Sequence, residues 1–312
     1  MDQAAAGFLK IVIFLIIGIL FRKSGVLNNR GIEGVKIIVL YLAIPSVLFL
    51  SFSRLDFNLS LLPVTITVFS INFLLFWLGV LIYKITGSNN RLLPLCLSTM
   101  NFGLLGIPLF EAVYGIDNLH HYTMFGMGNE IFIWFVFYFL LRWFLSDGEA
   151  ETKINRAFFK SPVIWGIILG CIFSILHIDI SNSSNFLILG ISHTLNSAAK
   201  LTTPLILIFI GFNISLSFTY LKQSFKYLLL RLSAAFALGY ILKAVLLDQF
   251  IVNTVYYNSA YFLLISLPPM FSIPILAADY LENNELKLLN NIIVLHSVVT
   301  IIMFAVFTLT YT

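Results

Sequence analysis

The sequence predicts an all-α membrane protein of ten transmembrane helices, built as two inverted five-helix repeats with crossed broken helices 4 and 9. Three observations carry that expectation. The 312 residues are 60% hydrophobic and 10% charged, with a mean hydropathy of +0.98. A soluble domain keeps about a quarter of its residues charged to hold its surface in water, so most of this surface must meet lipid. Apolar stretches of bilayer length, about 20 residues each, recur along the chain between polar punctuation. Finally, two proline-bearing stretches in the first half reappear in the second at nearly constant spacing.

The first span is placed at Ala4–Phe21. Its charges, Arg22 and Lys23, follow the apolar run, whereas a secretory signal carries its charge first and ends in a cleavage site. A retained span with its N-terminus outside is expected. The next four are placed at Gly34–Phe52, Leu59–Tyr83, Leu92–Tyr114 and Tyr122–Leu141. After them come Pro162–Ile178, Phe186–Ile214, Phe225–Leu247, Val255–Tyr280 and Leu286–Thr310. The chain is thus expected to be one transmembrane domain over 1–312, with five-helix repeats at 1–145 and 161–312. A cytoplasmic connection, 146–160, joins them.

Orientation follows from the basic residues. The odd-numbered connections are given Arg22, Lys23, Arg30, Lys36, Lys84, Arg91, Arg142, Lys153, Arg156, Lys160, Lys222, Lys226, Arg231 and Lys287, fourteen of the 18. The positive-inside rule puts those connections in the cytoplasm and both termini outside, in a multi-pass protein of the plasma membrane. Two cysteines, Cys96 and Cys171, lie in apolar stretches and read as inert buried thiols. No metal motif, disulfide framework or basic-aromatic run for nucleic acid occurs.

Five spans is an odd number, so homologous halves must insert upside down relative to each other. The fourth span contains Ile107-Pro108 and Ala112, then Tyr114 and Asn118. The ninth contains Ile273-Pro274 and Ala278, then Tyr280 and Asn284, each later by 166. Pro45 and Pro204 form a second pair, 159 apart. Inverted repeats with interrupted helices in matching places mark alternating-access transporters. Proline lacks an amide hydrogen and clashes with the preceding turn, so Pro108 and Pro274 are expected to break their spans. Freed backbone groups cannot face lipid and must line a polar cavity. Asn101-Phe102-Gly103-Leu104-Leu105-Gly106 before one proline, and Ser266, Pro268, Pro269 and Ser272 before the other, fit that demand. Half-helix N-termini aimed at one point favour an anion.

The stretch Asn101-x-x-x-x-Gly106-Ile107-Pro108-Leu109, then Tyr114-Gly115, resembles the fourth span of the auxin efflux carrier family, which includes plant PIN-type carriers and bacterial malate and malonate permeases. Gly25-Val26-Leu27, Pro45, Thr203-Pro204, Gly211 and Pro274 to Tyr280 extend the resemblance over nearly the whole chain. It implies ten spans with a crossover of the fourth and ninth. It also implies a scaffold of spans one, two, six and seven against which the others move. By the same resemblance Asn101 is a substrate-carboxylate ligand, and Pro108 and Pro274 are the crossover prolines. The long cytoplasmic loop of some plant members is missing, which separates this chain from carriers of auxin itself.

Ionisable groups at membrane depth are functional candidates because burying them is costly. Glu130 lies about 12 Å into the fifth span at 1.5 Å per residue. It reads either as a proton-coupling or cation-binding carboxylate or as a structural partner of Lys200. Lys200, four residues before Pro204, reads either as a charge partner of the substrate or as a lysine snorkelling to the surface. Glu111 and Asp279 read as vestibule residues, and His296 as a packing residue. The expected substrate site is therefore Asn101, Gly106, Ile107, Pro108, Asn129, Ser272 and Pro274, with Glu130 and Lys200 as coupling or charge partners. Its substrate would be a small organic anion, a carboxylate such as malate. A bile-acid-transporter-like symporter coupled to sodium or protons is the alternative, and a membrane sensor or receptor stands in a different class. Motifs of membrane-embedded enzymes are missing. No cofactor is called for, and proton coupling is left open. The partners are the anion and the lipid bilayer, with a homodimer also left open.

Overall fold

The computed structural model describes residues 2–53, 61–86, 91–146, 162–181, 185–213, 217–271, 273–277 and 280–311. The connection 146–160 (beyond its first residue), Ser272 and Asp279 lie outside them. The described chain is helical, without strands: α1 Asp2–Ser24, α2 Arg30–Ser53, α3 Leu61–Thr86, α4 Leu93–Tyr114, α5 Gly126–Leu145, α6 Pro162–Ile175, α7 Phe186–Asn213 and α8 Phe218–Leu247. The next helix, α9, runs from Val255 to Ser266 and resumes at Ile273–Leu276, and α10 covers Asn283–Tyr311. Seven of these (α2, α3, α4, α5, α7, α8 and α10) are long and apolar enough to cross a membrane.

Local sequence explains the ends. Arg22 and Lys23 close the last turn of α1, where cations complement the exposed carbonyls. Gly25 then takes a positive φ of 72°, and its N–H donates to Arg22 O. This is the left-handed cap that glycine adopts without steric cost. Asn28 caps the next helix by accepting from the Gly31 N–H at 2.8 Å.

The repeat prolines do not act as expected. Pro45 is the second residue of Ile44–Ser53, after a π-turn at Val39–Ala43. Pro108 is the second residue of Ile107–Tyr114, after a π-turn at Phe102–Gly106. Pro204 is the third residue of Thr202–Asn213, and Pro274 the second of Ile273–Leu276. Pro204 and Pro274 open the second half of their helices, where a missing N–H costs little, whereas Pro45 and Pro108 lie in helices that continue through the preceding π-turn. The expectation that Pro108 breaks its span is corrected, because the break in α4 comes earlier, at 98–101; the break in α9, described over 267–271, precedes the short helix that Pro274 opens.

The chain forms two compact units. The first holds α1, α2, α6, α7 and residues 107–124; the second holds α3, residues 93–106, α5, α8, α9 and α10. The helices α1, α2, α6 and α7 are the same four that the family resemblance sets apart. In the first unit, backbones touch at glycines. A Cβ on Gly18 would lie 2.2 Å from Ile208 O, and one on Gly211 would lie 2.2 Å from Leu15 O. Gly166 and Gly170 of α6 meet Pro45 O and Phe49 O in the same way, at 2.7 and 2.8 Å. Lipid gives little hydrophobic drive between helices, so such small-residue approaches supply the packing energy. The second unit has such approaches too, a Cβ on Gly128 lying 2.4 Å from Thr65 O and one on Gly79 2.6 Å from Pro94 Cα, and adds aromatic packing. Phe76 stands edge-on to Phe137 and Phe144, and Phe69 to Phe132, with centroids 5.8–6.4 Å apart.

Candidate functional site

The two unwound segments lie within the second unit, and each follows from its sequence. In α4 the five-residue start Leu93–Leu97 ends at Ser98. Thr99 then adopts a φ of 63°, a left-handed conformation that costs energy in a β-branched residue. In α9 the adjacent Pro268 and Pro269 force Leu267 into an extended conformation, ψ 145°. The segments are tied to each other. The Asn101 N–H donates to Pro268 O at 2.9 Å, and the Met270 N–H donates to Thr99 Oγ1 at 3.2 Å.

Unwinding frees carbonyls, and an arginine collects them. Arg231, in the middle of α8, is 1% exposed. Its Nε and Nη2 donate to Leu267 O at 3.1 and 3.0 Å. Nη1 donates to Cys96 O and Ser98 O, each at 3.0 Å, and to Leu97 O; Nη2 also donates to Thr99 O. One guanidinium thus satisfies main-chain groups of both breaks. This corrects the assignment of Arg231 to a cytoplasmic connection, and fourteen less one leaves thirteen basic residues there. The sequence held a signal for it, because Leu228-Leu229-Leu230 precede the arginine and an apolar run follows it.

Asn129 forms the second clamp. Its Oδ1 accepts from the Met100 N–H and its Nδ2 donates to Met100 O, both at 3.2 Å. The same amide accepts from Asn72 Nδ2 at 3.4 Å and donates to Glu130 Oε1 at 3.2 Å. Its hydrogen-bonding capacity is therefore taken up by the unwound chain and its supports. Below the α9 break, Ser266 O accepts from His296 Nε2 at 3.1 Å and from Thr300 Oγ1 at 2.6 Å.

Asn101 differs from these residues. It is 3% exposed, its O accepts from the Leu105 and Gly106 N–H groups, and among the described residues its side-chain Nδ2 has no hydrogen-bond partner. A buried donor left unpaired is rare. The asparagine stands where the second half of α4 begins, beside first-turn N–H groups that have no intrahelical acceptors. An acceptor of negative charge suits that position.

Of the expected site, the structure gathers Asn101, Gly106, Asn129, Glu130 and Pro274 in the second unit. Glu130 is half-buried. Ile107 and Pro108, both buried, belong to the first unit, as does the exposed Lys200 at the end of the first half of α7. Glu111 is not a vestibule residue: it is 8% exposed, and its Oε2 accepts from Thr203 Oγ1 at 2.6 Å. His296 is buried, as expected of a packing residue. A cavity of about 500 Å³ opens at the start of α8, lined by Lys222, Lys226, Thr219, Gln223, Tyr227 and Leu93. The expected eighth span starts at Phe225, seven residues after the observed start of α8 at Phe218.

Residues 6–153 match a family model described as membrane transport protein. That match supports a transporter of the auxin efflux carrier family. A protein of Methanothermobacter thermautotrophicus, described as an uncharacterized transporter, is 27% identical over 221 residues, 69% of each chain. Together with the membrane-length helices, these matches support a multi-pass membrane transporter.

Proposed function

We propose that the protein carries a small organic anion, a mono- or dicarboxylate such as malate, by alternating access at the crossover of α4 and α9. The observation that carries this reading is the buried, unpartnered Nδ2 of Asn101 at the start of a half-helix. An amide donor beside first-turn N–H groups is suited to a carboxylate and repels a cation. The two lysines of the α8 cavity would raise the local concentration of anions. Charge placement supports cytoplasmic odd connections in the plasma membrane, even without Arg231.

In proteoliposomes, Asn101→Ala should lower uptake of labelled malate or a similar acid about tenfold, the loss of one hydrogen bond to a charged group. Its thermal stability should stay at or above that of the wild type, because the amide donor has no partner to lose. Unchanged uptake would remove Asn101 from the site. Glu130, bonded to the Asn129 clamp, is the group through which a proton would act. Glu130→Gln should flatten any dependence of uptake on pH, and an identical profile would discard that role.

A further inference from the structure

A helix break exposes two kinds of pole, the carbonyls that end the first half and the amides that begin the second. In transporters with broken helices, the carbonyl ends are where a coupling cation such as sodium is held. Here those carbonyls are already occupied. Cys96 O, Leu97 O, Ser98 O and Thr99 O from α4, and Leu267 O from α9, all accept from the guanidinium of Arg231. A guanidinium stays protonated under any ordinary condition. All of its hydrogen-bond partners are neutral main-chain oxygens, and among the described residues no carboxylate pairs with it. Its charge is therefore offset only by carbonyl dipoles.

We propose that Arg231 is a tethered cation, occupying the carbonyl cage where a mobile coupling ion would otherwise bind and leaving the crossover with a net positive field for an anion. The second clause rests on the carboxylate reading above; the first does not. Arg231 is on this account a positioning and charge-setting residue that acts through the unwound segments. The crossover needs no alkali cation to assemble, because the guanidinium already fills the carbonyl cage.

Purified protein, thermally unfolded in sodium chloride and in N-methylglucamine chloride at equal ionic strength, tests the cage without any substrate. Wild type and Arg231→Lys should unfold at the same temperature in both salts. Arg231→Ala and Arg231→Gln should be less stable and should regain stability specifically in sodium, which can enter the vacated oxygens. Sodium-specific stabilisation of the wild type would overturn the proposal, as would neutral variants indifferent to sodium. Should the neutral variants not purify, the wild type and Arg231→Lys still decide the matter. In proteoliposomes, wild-type carboxylate uptake should be equal with and without sodium, and Arg231→Ala should lose roughly thirty-fold or more without it, as when a buried charged partner is removed. Full uptake by that variant in sodium-free medium would overturn the charge-setting role. If no carboxylate is bound or moved in either salt, the anion reading falls, while the unfolding result still judges the cage.

Discussion

The interruptions of α2 and α7 lie in the first unit and those of α4 and α9 in the second, and the two pairs differ in what the interruption does. In the first unit, α2 takes up Pro45 with one π-turn, and α7 passes Pro204 with a single non-helical residue, Leu201. No stretch of backbone is laid open, and glycines at these helices bring backbones into contact. In the second unit, the interruptions of α4 and α9, described over 98–101 and 267–271, expose carbonyls that Arg231 and Asn129 must hold. The proline sits at an equivalent place in all four helices. What separates a packing kink from an open polar segment is therefore the sequence before it. Ser98-Thr99-Met100-Asn101 and Leu267-Pro268-Pro269-Met270 cannot continue a helix, whereas Val39-Leu40-Tyr41-Leu42 can.

The largest effect should come from breaking the clamp in the second unit. Asn129→Ala removes both partners of Met100, leaving a buried N–H and C=O unsatisfied at about 1–3 kcal/mol each. A drop of about 2–6 kcal/mol in unfolding free energy, with loss of uptake, is expected from denaturation and proteoliposome assays. Asn129→Ala with wild-type stability would mean that the unwound segment holds itself. Removing contact in the first unit should cost less and act differently. Gly211→Ala sets a methyl group against Leu15 O and should destabilise by about 1–3 kcal/mol. The surviving folded protein should keep its relative preference among carboxylates. A changed preference would show that the first unit shapes the substrate site and would erase the distinction between the two regions.

The family, the helical architecture and the two interrupted pairs were legible because hydropathy and proline spacing are properties of the linear chain. Asn101 was singled out by its motif, and the structure shows its amide nitrogen buried without a partner among the described residues. Two features were not. The location of the breaks depends on what precedes the prolines, and proline grammar alone points to the wrong residues, since the first turn of a helix tolerates proline as well as a kink does. Arg231 was hidden because a basic residue near an expected helix end counts toward topology by default. Only the fold shows that four carbonyls from one segment and one from another converge on it. The Glu111–Thr203 bond joins residues 92 positions apart, and nothing local in either stretch announces it.

The smallest effect discriminates most sharply between the two accounts of the prolines. If Pro108 caused the break in α4, its removal would let the helix close and would abolish the exposed segment. In the structure Pro108 follows a π-turn inside the second half, while Asn101 O accepts from both the Leu105 and Gly106 N–H groups upstream of it. The break is held by Thr99, Asn129 and Arg231, none of which touches the proline in the hydrogen-bond pattern. Pro108→Ala should therefore change stability by less than about 1 kcal/mol, through unfolded-chain entropy alone, and leave uptake within a few-fold of wild type. A severe loss of transport with intact folding would return the proline to the cause of the break. It would also make the resemblance between the two proline pairs deeper than their present geometry indicates.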